Sequence, residues 1–280
     1  MTSASPPEFT VSLLSDEEKW FFDNFGYLVL KQAVPPNDAT ELLVELDGWL
    51  SSTDEPPTPL KRGRQDGSTR RENVVSPHYG SAAYQRLNLN AEILRVVSGM
   101  MMGCPRLMHT VATKMWRSPA DEPPPGFHRD TDGFVFPLGF RNPHNDFQAS
   151  GGELYASHVA TWVALVDVPE GTGFSLVPGS HKSSFEAPEL PAVHNPPVSI
   201  TVPLSAGDVI VFSTNLLYGS TFTHMHHGIP PAPTVRLNLY WRFCMCILLF
   251  LRHAASKWTV DEYPRANVFQ RFQLSAYFGL

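Results

Sequence analysis

The sequence has few cysteines, fewer basic than acidic residues and no long apolar run. Each of these properties argues against a class of protein. Only three of its 280 residues are cysteines, an odd number without framework spacing, which argues against a secreted disulfide scaffold and predicts a reducing, cytoplasmic location. Its 21 basic residues are outnumbered by 27 acidic ones, a formal charge of −6, so no nucleic-acid partner is expected. The most apolar run, CMCILLFL, has eight residues, too few to cross a bilayer. The first residues lack a signal-peptide pattern, and no membrane insertion is expected.

Helical patterns occupy the first hundred residues. Ser15 and Glu18 have the spacing of a capping box, which predicts a helix over residues 16–24 and then a strand in YLVLKQAV. A second helix is predicted through ATELLVELDGWL, with Asn37 or Asp38 as its N-cap, and a third in AEILRVVSGMMM. Because each helix must bury its apolar stripe, these segments predict a helical layer packed on another element.

Strand patterns dominate the rest of the chain. VSITVPL alternates apolar with polar or small residues, and GDVIVFS, WVALVDV and RLNLYWRF also have the composition of strands. In RLNLYWRF the alternation predicts one apolar face and one polar face, and Arg236 lies on the polar face. Residues 51–83 lack apolar periodicity and are predicted to form a long surface loop, either disordered or a lid.

Helices followed by many short strands indicate a mainly β fold with N-terminal helices, in which the strands form a jelly roll. We expect a single domain over residues 1–280. Its helical layer would cover about 15–105 and its strand core about 106–243, with 244–280 as a C-terminal extension.

The stretch GFHRDTDGF places His128 and Asp130 two residues apart. Residues i and i+2 of a strand point to the same face, so both side chains can reach one metal ion. With a second imidazole they would form the triad of non-haem Fe(II) oxygenases, which leaves open positions for a keto acid and dioxygen. The same pattern is common by chance, and a solvated polar loop also explains it.

Other segments resemble the phytanoyl-CoA dioxygenase family of Fe(II)- and 2-oxoglutarate-dependent oxygenases. The resemblance is carried by ATWVALVDVPE, GTGFSLVPGSHKSSF, FGYLVLKQAV and GDVIVF, and runs in the family's order from about residue 20 to 243. It implies a double-stranded β-helix, the cupin-like jelly roll, that uses Fe(II), 2-oxoglutarate and O2. It also implies that His128 and Asp130 are catalytic iron ligands and that His181 of PGSHKS is a structural loop residue.

The third metal ligand is where the chain departs from the family pattern. The family has a histidine before Gly-Ser or Gly-Thr, and here LLYGS places Tyr218 in that position. A neutral phenol is a poor ligand for Fe(II), since its pKa is about 10, whereas a phenolate suits ferric iron. Three alternatives follow: Tyr218 occupies the metal site, His224 reaches it through a bulge, or catalysis is lost. The spacing from Asp208 favours Tyr218, and the spacing to Arg236 favours His224.

The resemblance also assigns residues to the co-substrate. Arg236 matches the arginine that binds the distal carboxylate of 2-oxoglutarate, a task for which a guanidinium is suited because it pairs with both oxygens. Ser220 and Trp162 match positions that contact the co-substrate in relatives, and Lys114 is a further candidate. Without the resemblance, Arg236 and Lys114 would be interpreted as surface residues of strands.

These residues predict an Fe(II)/2-oxoglutarate-dependent dioxygenase that oxidises a small organic substrate, usually by hydroxylation, and releases succinate and CO2. Retention of Asp130 argues against a halogenase, in which a small residue leaves room for halide on the iron. The competing hypothesis is a pseudoenzyme, a jelly-roll binding protein with an incomplete iron site. A third hypothesis, a cupin-type enzyme with another metal and no keto acid, predicts no role for Arg236.

Overall fold

A computed structural model of the chain describes residues 14–65, 69–101, 105–117, 127–130, 147–168, 173–183, 198–221 and 234–243. These residues form helices near the N-terminus followed mainly by strands, which confirms the mainly β class with N-terminal helices. The expected C-terminal extension, 244–280, lies outside the described residues.

Helix α1 (Asp16–Phe25) begins with the predicted capping box. The Ser15 hydroxyl accepts from the Glu18 N–H at 3.1 Å, and the Glu18 carboxylate accepts from the Ser15 N–H at 2.8 Å. The helix ends at Gly26, whose φ of 82° lies in the left-handed region that glycine adopts without strain.

The described residues include three more α-helices: α2 (Pro36–Ser51), α3 (Ala82–Asn88) and α4 (Ala91–Met101). The prediction of Asn37 or Asp38 as N-cap of α2 is wrong, because the helix already begins at Pro36. Proline is favoured at the first helical position, where its missing N–H is not needed for a hydrogen bond. In the part of the chain that the structure describes, no helix is long and apolar enough to span a membrane.

The described strands are, in chain order, β1 (Tyr27–Leu30), β2 (Lys61–Gln65), β3 (Thr69–Val75), β4 (Pro105–Arg117), β5 (Phe147–Ser150), β6 (Glu153–Ala156), β7 (His158–Ala164), β8 (Gly173–Leu176), β9 (Ile200–Thr201), β10 (Val209–Ser213), β11 (Tyr218–Thr221) and β12 (Thr234–Phe243). The main sheet has seven strands in the order β1-β10-β7-β12-β4-β3-β2, and all its neighbouring strands are antiparallel. A smaller sheet has the order β11-β8-β9, and β5 pairs with β6.

The main sheet is covered on both faces along β1, β10 and β7. On β7, Val159 and Val163 belong to the apolar cluster that includes the helices, and we call their side the helix face. Trp162 and Ala164 belong to a second cluster shared with the smaller sheet, and we call their side the inner face. Phe174 of β8 joins the two sheets, since its ring centroid lies 4.7 Å from that of Trp162. Burial on both faces explains why WVALVDV is apolar throughout.

The predicted loop over residues 51–83 is largely wrong. Strands β2 and β3 lie in this segment, form an antiparallel hairpin and extend the main sheet beyond β4. Their sequences, KRGRQ and TRRENVV, are mostly polar, as is common at the edge of a sheet. Pairing of β3 with β4 and of β2 with β3 defines these strands, and their sequences lack the apolar alternation that would have predicted them.

The predicted strand VSITVPL is also shorter than expected. Only Ile200 and Thr201 pair with β8. Val202 and Leu204 are buried in the inner cluster, but Val198 and Ile200 are exposed. The alternation therefore does not mark one buried face, because the chain reaches the core only after it leaves β9.

Candidate functional site

His128 lies beside Tyr218 and is bonded to it through the backbone. The N–H of His128 donates to the carbonyl oxygen of Tyr218 at 2.9 Å, and the N–H of Tyr218 donates to that of His128 at 3.0 Å. These two bonds form an antiparallel bridge at the first residue of β11. The structure thus brings two of the predicted metal-site residues side by side.

Asp130 contacts both of these residues. The Tyr218 hydroxyl donates to Oδ1 of Asp130 at 2.7 Å, and the same oxygen lies 3.8 Å from Nε2 of His128. The N–H of Asp130 donates to the carbonyl oxygen of Thr214 at 3.1 Å, which fixes the backbone as well. The His128 side chain is 53% exposed and that of Asp130 is 24% exposed, so a ligand can reach the pair.

The ring of Tyr218 packs against aromatic side chains. It stacks on Phe174 with centroids 5.3 Å apart and an interplanar angle of 19°, and it meets Phe212 edge-on at 4.9 Å. It also contacts the imidazole of His128, with centroids 4.6 Å apart. Because Phe174 and Phe212 belong to the inner cluster, the site borders the space between the two sheets.

Arg129, between His128 and Asp130, is buried although its neighbours are accessible. Its Nε donates to the carbonyl oxygen of Asn215 at 3.0 Å, and its Nη2 makes a longer contact of 3.5 Å with the carbonyl oxygen of Ser180. Arg129 therefore fastens the segment that carries His128 and Asp130 to two other loops.

The turn PGSHKS holds the chain that leads into β11. The Ser180 hydroxyl accepts from the N–H of Leu217 at 2.8 Å and donates to the carbonyl oxygen of Val177 at 2.7 Å. The carbonyl oxygen of His181 accepts from the side-chain amide of Asn215 at 2.6 Å. One turn thus binds both the residues just before Tyr218 and the guanidinium of Arg129.

The imidazole of His181 is fully buried and packs as an aromatic ring. Its centroid lies 4.6 Å from that of Phe147 and 6.1 Å from that of Phe22. The pKa of His181 is lowered to about 4, first by burial and then by the charge of Lys182, while Asp23 opposes the shift. A buried neutral imidazole in this place fits the structural role that the resemblance implied.

The Gly-Asp turn before β10 is also structural. The Asp208 carboxylate accepts from the Gln32 N–H at 2.9 Å, from the Lys31 ammonium at 2.8 Å and from the Ser205 N–H at 2.9 Å. Burial by itself would raise the pKa of Asp208, but these hydrogen bonds outweigh it and lower the pKa. The turn therefore joins the end of β1 to the start of β10.

Three of the residues predicted to contact the co-substrate lie around the inner cluster. Arg236 of β12 is directly opposite Ala164, two residues from Trp162. Opposite residues of an antiparallel pair share a face, so the register places Arg236 on the inner face. Trp162 is 3% exposed and contacts Phe174, and Ser220 lies opposite Phe174 on the smaller sheet.

Lys114 lies on the other side of the main sheet. Its neighbour Thr113 is opposite Arg236, so strand alternation places Lys114 on the helix face. There its ammonium nitrogen is 2.6 Å from Oδ1 of Asp47 in α2. The structure does not bring Lys114 together with Arg236.

The donor groups fit part of an Fe(II) site. Nε2 of His128 and Oδ1 of Asp130 are 3.8 Å apart, a gap that two metal–ligand bonds of about 2.1 Å each can span. Within the described ranges, no group of three His, Cys, Asp or Glu side chains is placed to hold a metal ion. Tyr218 adds a phenol whose hydroxyl donates a hydrogen bond to Oδ1 of Asp130. His224, the other predicted third ligand, lies outside the described residues.

Sequence reasoning missed the residues that support the site. Alternation along an extended chain could have predicted the burial of Arg129. His128 and Asp130 share one face, so the residue between them points to the opposite side. Ser180 belongs to the PGSHKS segment that carried the resemblance, but its role as a hydrogen-bonding partner was not predicted. No pattern marks Asn215, whose part in the site follows only from the fold.

The sequence comparison identifies one family. The model for phytanoyl-CoA dioxygenase (PhyH) matches residues 22–223, which is most of the chain. No curated protein gives a significant match.

Solved structures share the fold at low sequence identity. HygX from Streptomyces hygroscopicus, with nickel and 2-oxoglutarate bound, is 20% identical with a TM-score of 0.63 over 83% of this chain and 88% of HygX. The epimerase SnoN, in complex with Fe3+, α-ketoglutarate and nogalamycin RO, is 21% identical with a TM-score of 0.57 over 80% of this chain and 81% of SnoN. The carbocyclase SnoK from nogalamycin biosynthesis is 17% identical with a TM-score of 0.57 over 85% and 87% of the respective chains.

Proposed function

Because the chain belongs to the phytanoyl-CoA dioxygenase family, we propose that it is an Fe(II)- and 2-oxoglutarate-dependent oxygenase that oxidises a small organic molecule. The observation that carries the proposal is the pairing of His128 with Asp130 at an accessible edge of the inner cluster. The cofactor prediction agrees with the metals and keto acid bound in the neighbours HygX and SnoN.

Each residue of the proposed site has a separate task. His128 and Asp130 would hold the iron, whose chemistry when bound is to couple the conversion of 2-oxoglutarate and O2 into succinate and CO2 to oxidation of a substrate C–H bond. Arg236 would bind the distal carboxylate of 2-oxoglutarate, which its register position on the inner face allows. Trp162 and Ser220 would border the keto acid, and Lys114 has no part in this site.

A second candidate function is a catalytically impaired binding protein on the same fold. Tyr218 occupies the position in which the family has a second imidazole, and it forms a hydrogen bond to Oδ1 of Asp130. Both observations favour this candidate. In this alternative the ligand pair is intact but binds Fe(II) too weakly for turnover. The two candidates differ in a measurable way, since only the oxygenase consumes 2-oxoglutarate.

We further propose the fold, the location and the kind of substrate of this oxygenase. We take the two sheets as a double-stranded β-helix within one domain over residues 1–280, and we keep the cytoplasmic location that the cysteine count predicts. One neighbour was crystallised with hygromycin B and another with nogalamycin RO, so we propose a natural-product-sized substrate, with hydroxylation as the reaction.

The test is succinate formation by the full-length chain supplied with Fe(II), 2-oxoglutarate and O2. Succinate should form slowly without a substrate and faster with a matching compound from a panel of aminoglycosides, polycyclic polyketides and acyl thioesters. Arg236→Ala should raise KM for 2-oxoglutarate about 10- to 100-fold, because a charge-assisted pair is lost.

Arg242→Ala is the matched control for Arg236→Ala. It removes the same charge from the same strand, six residues further along β12, which is roughly 20 Å away at about 3.3 Å per residue. Its KM for 2-oxoglutarate should equal that of the natural chain. If no condition yields succinate, the oxygenase proposal is refuted and the binding-protein candidate takes its place.

A further inference from the structure

The Tyr218 side chain contacts both proposed metal ligands, Asp130 through a hydrogen bond from its hydroxyl and His128 through its ring. It donates a hydrogen bond of 2.7 Å to Oδ1 of Asp130, and its ring contacts the His128 imidazole. We propose that Tyr218 is a positioning residue that holds Asp130 and His128 in place for the metal, and that it does not itself bind the metal. This inference rests on the proposed function, because it takes His128 and Asp130 as ligands.

The Tyr218 hydroxyl is directed at the carboxylate of Asp130. A distance of 2.7 Å is typical of an O–H group that donates to a carboxylate, so this contact uses the hydroxyl as a hydrogen-bond donor to a proposed ligand. A carboxylate has about four lone-pair sites, so a hydrogen bond to one of its oxygens does not by itself prevent the carboxylate from binding a metal.

Backbone hydrogen bonds and ring packing hold the phenol in place. The backbone of Tyr218 is bonded twice to that of His128, and its ring packs between the side chains described above, with Phe174 at 5.3 Å and Phe212 at 4.9 Å. The hydroxyl position is therefore set by the inner cluster rather than by Asp130. A donor fixed in this way restricts the orientation of the carboxylate that accepts from it.

Metal-binding residues in proteins commonly depend on hydrogen bonds from neighbouring groups. Ligating carboxylates are themselves held by hydrogen bonds from neighbouring groups, and loss of such a partner typically lowers metal affinity about 10- to 100-fold. Tyr218 makes this kind of contact with Asp130. In this chain Tyr218 takes the position of the family's ligating histidine. The family's ligand is thus replaced by a group that supports the other two, His128 and Asp130.

The experiment measures Mn(II) binding to the full-length chain by calorimetry, with 2-oxoglutarate present and without it. Tyr218→Phe keeps the ring and removes the hydroxyl, and it should weaken Mn(II) binding about 10- to 100-fold. Near-ultraviolet circular dichroism and thermal unfolding establish that the variant is folded.

Tyr27→Phe is the matched control. Tyr27 is another tyrosine of the inner cluster and is 9% exposed, with its ring 5.4 Å from that of Phe21. Its replacement removes a hydroxyl from the same cluster without touching Asp130. The Mn(II) affinity of Tyr27→Phe should match that of the natural chain.

A spectroscopic measurement separates a positioning residue from a ligand. In the Fe(III)-loaded natural chain, a phenolate ligand would give an intense visible charge-transfer band that Tyr218→Phe abolishes, and we expect no such band. That band would overturn the inference, as would unchanged or tighter Mn(II) binding by Tyr218→Phe; both results leave the oxygenase proposal intact. No Mn(II) binding by the natural chain would overturn the inference and the proposed function together.

Discussion

Arg129 and Asn215, 86 positions apart in the chain, are joined by a 3.0 Å hydrogen bond from the guanidinium Nε to the carbonyl oxygen. Arg129 stands between the two proposed ligands, and Asn215 precedes Tyr218 by three residues. The bond therefore connects the two segments of the site from its buried side. The relative position of these segments depends on a buried residue that is not itself a proposed ligand.

Arg129→Met should lower the free energy of unfolding by about 2 kcal/mol, because buried carbonyl oxygens lose a charged donor. It should also weaken metal binding, since His128 and Asp130 lose their anchor. Urea denaturation measures the first effect and Mn(II) calorimetry the second.

Arg106→Met is the control for this change, because Arg106 is an exposed residue of β4. Its stability should stay within about 0.5 kcal/mol of the natural chain. Equal stabilities of Arg129→Met and Arg106→Met would contradict the anchoring role.

The buried imidazole of His181 makes stability depend on pH. Its pKa is lowered to about 4 in the fold by burial, while the unfolded chain keeps the ordinary value of about 6.5. As pH falls below 6.5 the unfolded state binds the proton first, so the stabilisation present above that pH is lost as pH approaches 4.

Between pH 7.5 and pH 5 this single group should cost about 2 kcal/mol of stability. His181→Gln does not titrate, and its stability should fall less over the same interval by roughly that amount. Urea denaturation of both proteins at both pH values gives the comparison, and identical pH dependence would show that His181 is not the buried group responsible.

Gly26 and Gly48 should respond in opposite ways to alanine. A Cβ on Gly26 would lie 2.5 Å from Nδ1 of His181 and 2.9 Å from Cδ1 of Leu216, at a φ of 82°. Gly26→Ala should therefore destabilise the chain by about 2 kcal/mol or more.

Gly48 lies in α2, and a Cβ there meets no atom within 4 Å. Gly48→Ala should stabilise the chain by up to about 1 kcal/mol, because alanine is the better helix former. Thermal unfolding of the two variants tests the pair, and a Gly26→Ala protein as stable as the natural chain would mean that His181 does not pack against Gly26.

Local signals in the sequence predicted the elements whose cause is local. The capping box of Ser15 and Glu18 marks α1 because both partners lie within four residues. The apolar run of β7 marks a strand buried on both faces. The hairpin of β2 and β3 gave no such signal, because it joins the main sheet only through the pairing of β3 with β4, which comes about forty residues later in the chain.

The site residues also differ in how far the sequence predicts them. The spacing of His128 and Asp130 is visible in the sequence, and the family resemblance identified Arg236 and showed that Tyr218 stands in the position of the family's histidine. The contacts that give these residues their roles are distant in the chain: Tyr218 reaches Asp130 across 88 positions. Sequence spacing could therefore raise the question of the third ligand but not place the phenol on the carboxylate.

The proposed iron site of His128 and Asp130 should take up 2-oxoglutarate together with Fe(II). The most direct measurement is anaerobic titration of the chelator-treated chain with Fe(II) and excess 2-oxoglutarate, read by the weak visible charge-transfer band of the chelated keto acid. We expect this band in the natural chain, its loss in His128→Ala, and its retention at higher Fe(II) concentrations in Tyr218→Phe. If the natural chain gives no band at saturating Fe(II) and 2-oxoglutarate, the proposed iron site is wrong and the chain is a binding protein on an oxygenase fold.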